Sequence, residues 1–201
     1  MLNSSVCLVS KAQSILKLDE KNGFKNFLFG SNVSEYNNLV YSGSLFAKYN
    51  QEFVERFDGY LDFDIKSYTQ NNSANKIGDL EIGKPTYYFF NKRLLRVDFY
   101  VDNRVGKELL TLYRSLYGGP TIVDADNILG ANVTTYLWKG SKVNLSVSIC
   151  KNPYRGSISS NDKNEPPSYF VRYLSIPMLA KKKGADNALQ NKAKKARESD
   201  L

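Results

Sequence analysis

Apolar and polar residues alternate strictly over two stretches of this chain, and each stretch lies across a tight turn from another β-prone run. Leu95, Val97, Phe99 and Val101 fall on one side of segment 93–101, with Arg96, Asp98 and Tyr100 on the other. Thr86 to Phe90 precedes it, and Asn91-Lys92 between them reads as a hairpin turn. A second hairpin runs from Thr134 to Trp138, turns at Lys139-Gly140 and returns over Lys142 to Cys150, with Val143, Leu145, Val147 and Ile149 inward. Leu80 and Ile82 alternate with Asp79 and Glu81 in a short strand that Gly83-Lys84-Pro85 ends, and Tyr169 to Ile176 forms a final strand.

Elsewhere the period changes to that of a helix. From Gly106 to Tyr117, Leu109, Tyr113 and Leu116 make a buried stripe that Leu110, Leu112 and Tyr117 widen, and Gly118-Gly119-Pro120 stops it. Asn32-Val33-Ser34-Glu35 is a capping-box pattern, which predicts a short helix over Val33–Tyr41 with Val33, Tyr36 and Val40 on one face. Leu16, Leu18, Phe24, Phe27 and Phe29 read as short strand-like pieces before Gly30. Between 44 and 75 the signals are mixed, helical at Phe46, Tyr49, Phe53 and Phe57 and strand-like from Tyr60 to Ile65, and Gln70 to Asn75 is a polar loop. Residues 121–133 and 151–168 read as loops, and from Lys181 onward the chain is an exposed Ala/Lys helix or no helix at all.

The two hairpins align at a constant offset of 48 residues: Thr86 with Thr134, Tyr88 with Tyr136, Phe90 with Trp138, and the inward set 95–101 with 143–149. A predicted helix precedes each one, so the chain reads as helix-plus-hairpin twice. An amphipathic hairpin needs a cover for its apolar face. The expected fold class is therefore α+β, an antiparallel sheet of two hairpins covered by short helices in a two-layer sandwich. The expected organisation is a leader remnant or disordered N-terminus over 1–12, one domain over 13–180 with halves at about 13–104 and 105–180, and a basic exposed tail over 181–201.

Composition fits this picture and narrows the chemistry. Of 201 residues 42% are hydrophobic, and 14 Tyr and 11 Phe favour pleated, half-buried positions. The net charge is +8, but half of it lies in 181–201, so the body is only mildly basic. There is no His, which removes the commonest general base and metal ligand. Cys7 and Cys150 belong to no ligand pattern, so neither a zinc site nor a disulfide framework is expected. Ser10 and Ala12 stand at the third and first positions before Gln13, the small-x-small pattern of a leader cleavage site. Leu2, Val6, Leu8 and Val9 would then be the tail of its apolar segment, with the true start upstream. This points to export, periplasmic or cell-surface; the alternative is a disordered N-terminus on a cytoplasmic protein. No stretch matches a membrane span.

Gly119-Pro120 after an apolar helix, then Tyr136-x-Trp138, a turn and Val143-x-Leu145-x-Val147, is similar to the small outer-membrane assembly lipoproteins of the SmpA/OmlA (BamE-like) type. The opening Gly23-Phe24-x-x-Phe27-x-Phe29-Gly30-x-x-x-x-Glu35 resembles uncharacterised exported bacterial α+β proteins that combine two helix–hairpin units. The resemblance implies a non-enzymatic envelope domain. It transfers no partner and no binding residues.

Candidate chemistry is sparse. Asp58, Asp62 and Asp64, and Asp124 with Asp126, lack the spacing of a calcium loop. Ser141-Lys142 and Ser160-x-x-Lys163 read as surface residues rather than a Ser–Lys nucleophile. The expectation is no catalytic residue, no cofactor and no metal. Exposed Tyr and Arg suit a protein interface, and the surface assigned to one comprises Tyr88, Phe90, Arg93, Arg96, Tyr100 and Trp138. The leading expectation is a non-catalytic exported binding or structural domain with an unknown protein or envelope component as partner, nucleic acid not being expected. The alternative is a cytoplasmic nucleic-acid-binding module that stacks bases on the run Tyr87-Tyr88-Phe89-Phe90 and uses the Lys-rich tail. Third stands a hydrolase with a carboxylate acid/base pair.

Overall fold

The computed structural model describes residues 15–44, 65–70, 75–128, 131–151 and 168–199. The leader-like segment, Cys7, the Asp58/Asp62/Asp64 cluster and Ser160/Lys163 lie outside them. The described chain opens in helix, α1, residues 15–21, followed by a miniature hairpin of β1 (Gly23–Phe24) and β2 (Phe27–Leu28). The strand-like reading of Leu16 and Leu18 is thus corrected to helix. Leu18 is buried and Leu16 is exposed, so only one of the pair faces the core.

The capping box at Asn32 forms as read: Asn32 Oδ1 accepts from Ser34 N (3.1 Å) and Glu35 Oε1 accepts from Asn32 N (2.7 Å). It starts only one 3-10 turn, Val33–Glu35, and the predicted helix over Val33–Tyr41 is absent. The chain continues instead into β3 (Leu39–Ser44), which pairs with β4 (Ile65–Gln70). A cap satisfies backbone donors but does not propagate a helix, and Leu39-Val40-Tyr41 gains more from a ladder. After the small hairpin of β5 (Lys76–Ile77) and β6 (Leu80–Glu81) come β7 (Thr86–Phe90) and β8 (Arg93–Val101), joined at Asn91 (φ 48°) and Lys92 (φ 64°). Two central residues with positive φ match the right-handed twist of the strands they join.

Helix α2 (Asn103–Tyr117) carries Asp102 as its N-cap, accepting from Val105 N at 2.9 Å. It buries Val105, Gly106, Leu109, Leu110, Tyr113 and Tyr117, whereas Leu116, assigned to the stripe from spacing, is exposed. Residues 121–133, read as a loop, hold β9 (Ile122–Ile128) and the start of β10 (Ala131–Lys139). As an edge strand β9 needs no strict alternation, which hid it. It is followed by β11 (Val143–Lys151), β12 (Ser168–Ser175) and α3 (Ile176–Ser199). That last helix begins five residues earlier than the sequence reading placed it.

The fold class is α+β, with one antiparallel eight-stranded sheet ordered β3-β4-β7-β8-β12-β11-β10-β9. Two four-stranded meanders, β3-β4-β7-β8 and β9-β10-β11-β12, meet where β8 pairs with β12. A helix follows each meander rather than preceding each hairpin. The topological counterpart of β7–β8 is therefore β11–β12, not the β10–β11 hairpin that aligns at an offset of 48.

The two helices lie on opposite faces of this sheet. Val97, Phe99 and Val101 of β8 join Leu145, Val147, Tyr173, Trp138 and the buried residues of α2 in the main core, together with Leu18, Phe24 and Phe27. On the other face Tyr88, Phe90, Leu95 and Ile65 form a smaller cluster under Met178 of α3. A bulge divides the two sets. Tyr88 opposes Arg96 while Phe89 opposes Leu94, which leaves Leu95 as the extra residue, pointing with Tyr88.

Candidate functional site

The α3 side of the sheet is where polar and aromatic side chains gather. Ladder register arranges them in cross-strand rows. Nearest α3 runs Asn144–Leu174–Arg96–Tyr88–Ser67, next Leu137–Ser146–Arg172–Asp98–Thr86, then Thr135–Ser148–Phe170–Tyr100. The apolar cluster that α3 covers reaches only the first row, through Leu174 and Tyr88.

Asp98 is the centre of the second row. Its side chain is 7% exposed, and its carboxylate is held by Arg172, whose Nε donates to Oδ1 (3.2 Å) and Nη2 to Oδ2 (3.4 Å). Arg96 approaches the same carboxylate from the neighbouring row, with Nε 3.1 Å from Oδ2 and its side chain 11% exposed. The N–H does not point along that line, so Arg96 Nε is buried without a hydrogen-bond partner. What fixes Arg96 is stacking: its Cζ lies 4.1 Å from the centroid of the Tyr88 ring. The row beyond supplies the Tyr100 and Phe170 rings, with centroids 4.9 Å apart, and the hydroxyl pair Thr135–Ser148 at 2.9 Å. Asn144 Oδ1, two strands away from Arg96, is also buried without a hydrogen-bond partner.

The structure separates the six residues that the sequence grouped. Arg96 and Tyr100 share the α3-side face, and Tyr100 is 47% exposed. Tyr88 and Phe90 are on that face but buried, in the cluster under α3. Arg93, at the β7–β8 turn, donates from Nη1 to Gly30 O (2.8 Å) and clamps the N-terminal segment, while Asn32 bridges to it. Trp138 is wholly buried on the opposite face, its Nε1 donating to Gly118 O at 2.7 Å. Sequence reasoning missed Asp98, Arg172, Phe170, Ser146 and Ser148, because which strands neighbour β8 is not written in its alternation. The signal available was the polar set between inward residues of β11 and β12, at Ser146, Ser148, Phe170 and Arg172.

Other candidates have structural uses. Tyr87 and Phe89 lie in the main core and Tyr88 and Phe90 under α3, so the aromatic run offers no exposed ring for a base to stack on. Ser141 and Lys142 do not form a nucleophile pair, because they are the grip of Asp19. One oxygen of that carboxylate accepts from Ser141 N (2.7 Å) and Oγ (2.8 Å), the other from Lys142 N (2.8 Å) and Val143 N (2.9 Å). Burial pushes the Asp19 pKa up, but those hydrogen bonds outweigh it and hold the net value below the usual 3.8. Tyr173 donates to Tyr113 at 2.9 Å inside the main core, and burial raises both phenol pKa values. Asp124 sits on the α3 side of the edge strand β9, opposite Thr135, and the backbone of Asp126 pairs with Val133. The basic tail is a helix whose Lys182 is fully buried, paired with Asp186 at 2.7 Å and 5.6 Å from the Phe90 ring centroid.

Compared with models of known families, with curated proteins and with solved structures, the chain finds no match.

Proposed function

We propose that this chain is a binding domain without a reactive centre of its own, which docks a protein or envelope component on the sheet face beside α3. One arrangement carries the reading. Arg96, Asp98 and Arg172 form a tethered charged group on a face that, among the described residues, α3 covers at one end, flanked by the Tyr100–Phe170 pair and by hydroxyls. Tyr and Arg concentrate binding energy at interfaces, because they combine large contact area with directional donors. Export belongs to the reading through Ser10-Lys11-Ala12 and the similarity to envelope lipoproteins. No helix among the described residues is long and apolar enough to cross a membrane.

The test is a quantitative comparison of three tagged forms of the full chain in envelope extract. They are the wild type, the double variant Tyr100→Ala/Ser146→Arg on this face, and Val123→Ser on the edge strand pointing to the other face. A species retained by the wild type and by Val123→Ser, but reduced about tenfold or more by the double variant, is the expected result. Equal retention by all three forms removes the face from consideration.

A further inference from the structure

The outermost strand β9 is paired on one side only. It runs in unbroken register with β10, from Leu137 opposite Ile122 to Ala131 opposite Ile128, and its other edge meets no strand among the described residues. In an antiparallel ladder alternate residues aim their N–H and C=O groups outward, so such an edge is a template for a further strand. The opposite edge of the sheet is blunted. There β3 carries a register shift between Tyr41 and Gly43, and Gly43 has a φ of 124°. β9 has no shift, no Pro and no Lys. Thr121 to Ala125 are all exposed, and the exposure includes large apolar side chains on both faces, Ile122 at 45% and Val123 at 57%. Val123 lies beside Tyr136 on the α2 side, and Asp124 beside Thr135 on the α3 side.

We propose that β9 accepts an extended segment of another protein as a further strand of the sheet, with Lys or Arg opposite Asp124 and an apolar residue opposite Val123. Main-chain hydrogen bonds supply the affinity of such an added strand, and the side chains beside it supply the selectivity. Charge decides between a second copy of this chain and a different protein. Antiparallel pairing of β9 with its own copy keeps each face of the sheet continuous only if even-numbered positions meet even-numbered ones. Every register that uses most of the strand then sets an Asp position against an Asp position, 124 against 126 or one of them against itself. Like charges directly opposite are destabilising, whereas opposite charges stabilise the pair. A bulge or a Pro would turn away every strand; an Asp turns away its own kind and admits a cation. The edge is a separate surface from the face beside α3, so the two readings stand or fall independently.

The probes are two synthetic peptides of about seven residues, the length of an ordinary strand, one alternating Lys with Val and the other Glu with Val. Binding is read on the backbone amide resonances of the ¹⁵N-labelled full chain. The expected result is a saturable shift centred on 122–128, with the Lys peptide binding about fivefold or more tighter than the Glu peptide. The net charge of +8 favours the Glu peptide, so bulk attraction does not produce that order. Asp124→Lys, at an exposed position, is expected to keep the circular dichroism spectrum and to lower the preference by about threefold or more. Four outcomes overturn the proposal: no saturable shift at β9, equal or tighter binding of the Glu peptide, a preference that Asp124→Lys leaves unchanged, or β9 shifts that follow protein concentration without peptide. The last means that the edge pairs with a second copy. Asp124→Lys leaves Tyr100 and Ser146 in place, so in envelope extract it separates a species held by the edge from one held by the face beside α3.

Discussion

At the scale of single residues, the most consequential polar group outside the docking face is Asp19. Its carboxylate accepts four hydrogen bonds across 122 to 124 positions of sequence, pinning α1 to the turn between β10 and β11. Gly140 allows this approach, since a Cβ there would run into Asp19 Oδ1. Because the folded pKa lies below 3.8, ionised Asp19 contributes its full stabilisation well above that value, and the contribution is lost as pH falls through the folded pKa. Asp19→Asn is expected to lower the unfolding free energy by about 1.5–3 kcal/mol at neutral pH. Urea titrations of both proteins between neutral and acid pH should show the gap closing as the pH falls below 3.8. A gap that persists unchanged in acid would mean that the charge is not what holds the turn. None of this was visible in the sequence, where Asp19 stood as the polar partner of Leu18 in an apparent alternation.

Elements show where local signals sufficed. Segment 93–101 and the run 143–150 form strands as their alternation demands, and 106–117 forms a helix stopped by Gly118. Within α2, Gly106 has a packing role that spacing does not reveal: a Cβ would overlap the ring of Tyr169 on β12. In an exposed helix Gly→Ala stabilises by about 1 kcal/mol. Here the sign is expected to reverse, and Gly106→Ala should cost about 1–3 kcal/mol of stability, measured as a lower thermal midpoint. A raised midpoint would show that Tyr169 simply moves aside. The failures at this scale share a cause. Val33–Tyr41 has a helix start without a helix, and Ile122–Ile128 is a strand without alternation, because β3 and β9 are edges stabilised by the neighbour they pair with.

Taken whole, the molecule is two meanders, each followed by a helix, with the helices on opposite faces of a shared sheet. Among the described residues α3 covers only one end of its face, and α3 itself is divided. Ile176 to Asp186 touch the body through Met178 and Lys182, whereas residues 187–195 are exposed. Deleting 187–201 is therefore expected to shift the melting midpoint by no more than about 2 °C, whereas Met178→Ala should cost about 2–5 kcal/mol. Differential scanning calorimetry of both variants checks the division; a large loss from the truncation would place the boundary wrongly. By itself the sequence determined the strand and helix segments with strong periodicity, the α+β class, and the lack of His and of cysteine clusters. Periodicity and composition are local properties of the chain, so local inspection reads them. Only the tertiary structure decided that β8 lies against β12, where Asp98 faces Arg172 across 74 residues, and hence that Arg96 stands beside a carboxylate already taken. Alternation says which side of a strand is apolar but not which strand comes next to it. That choice is made by long-range packing, because a non-local pairing must repay its loop-closure entropy through the joint burial of the strands it brings together.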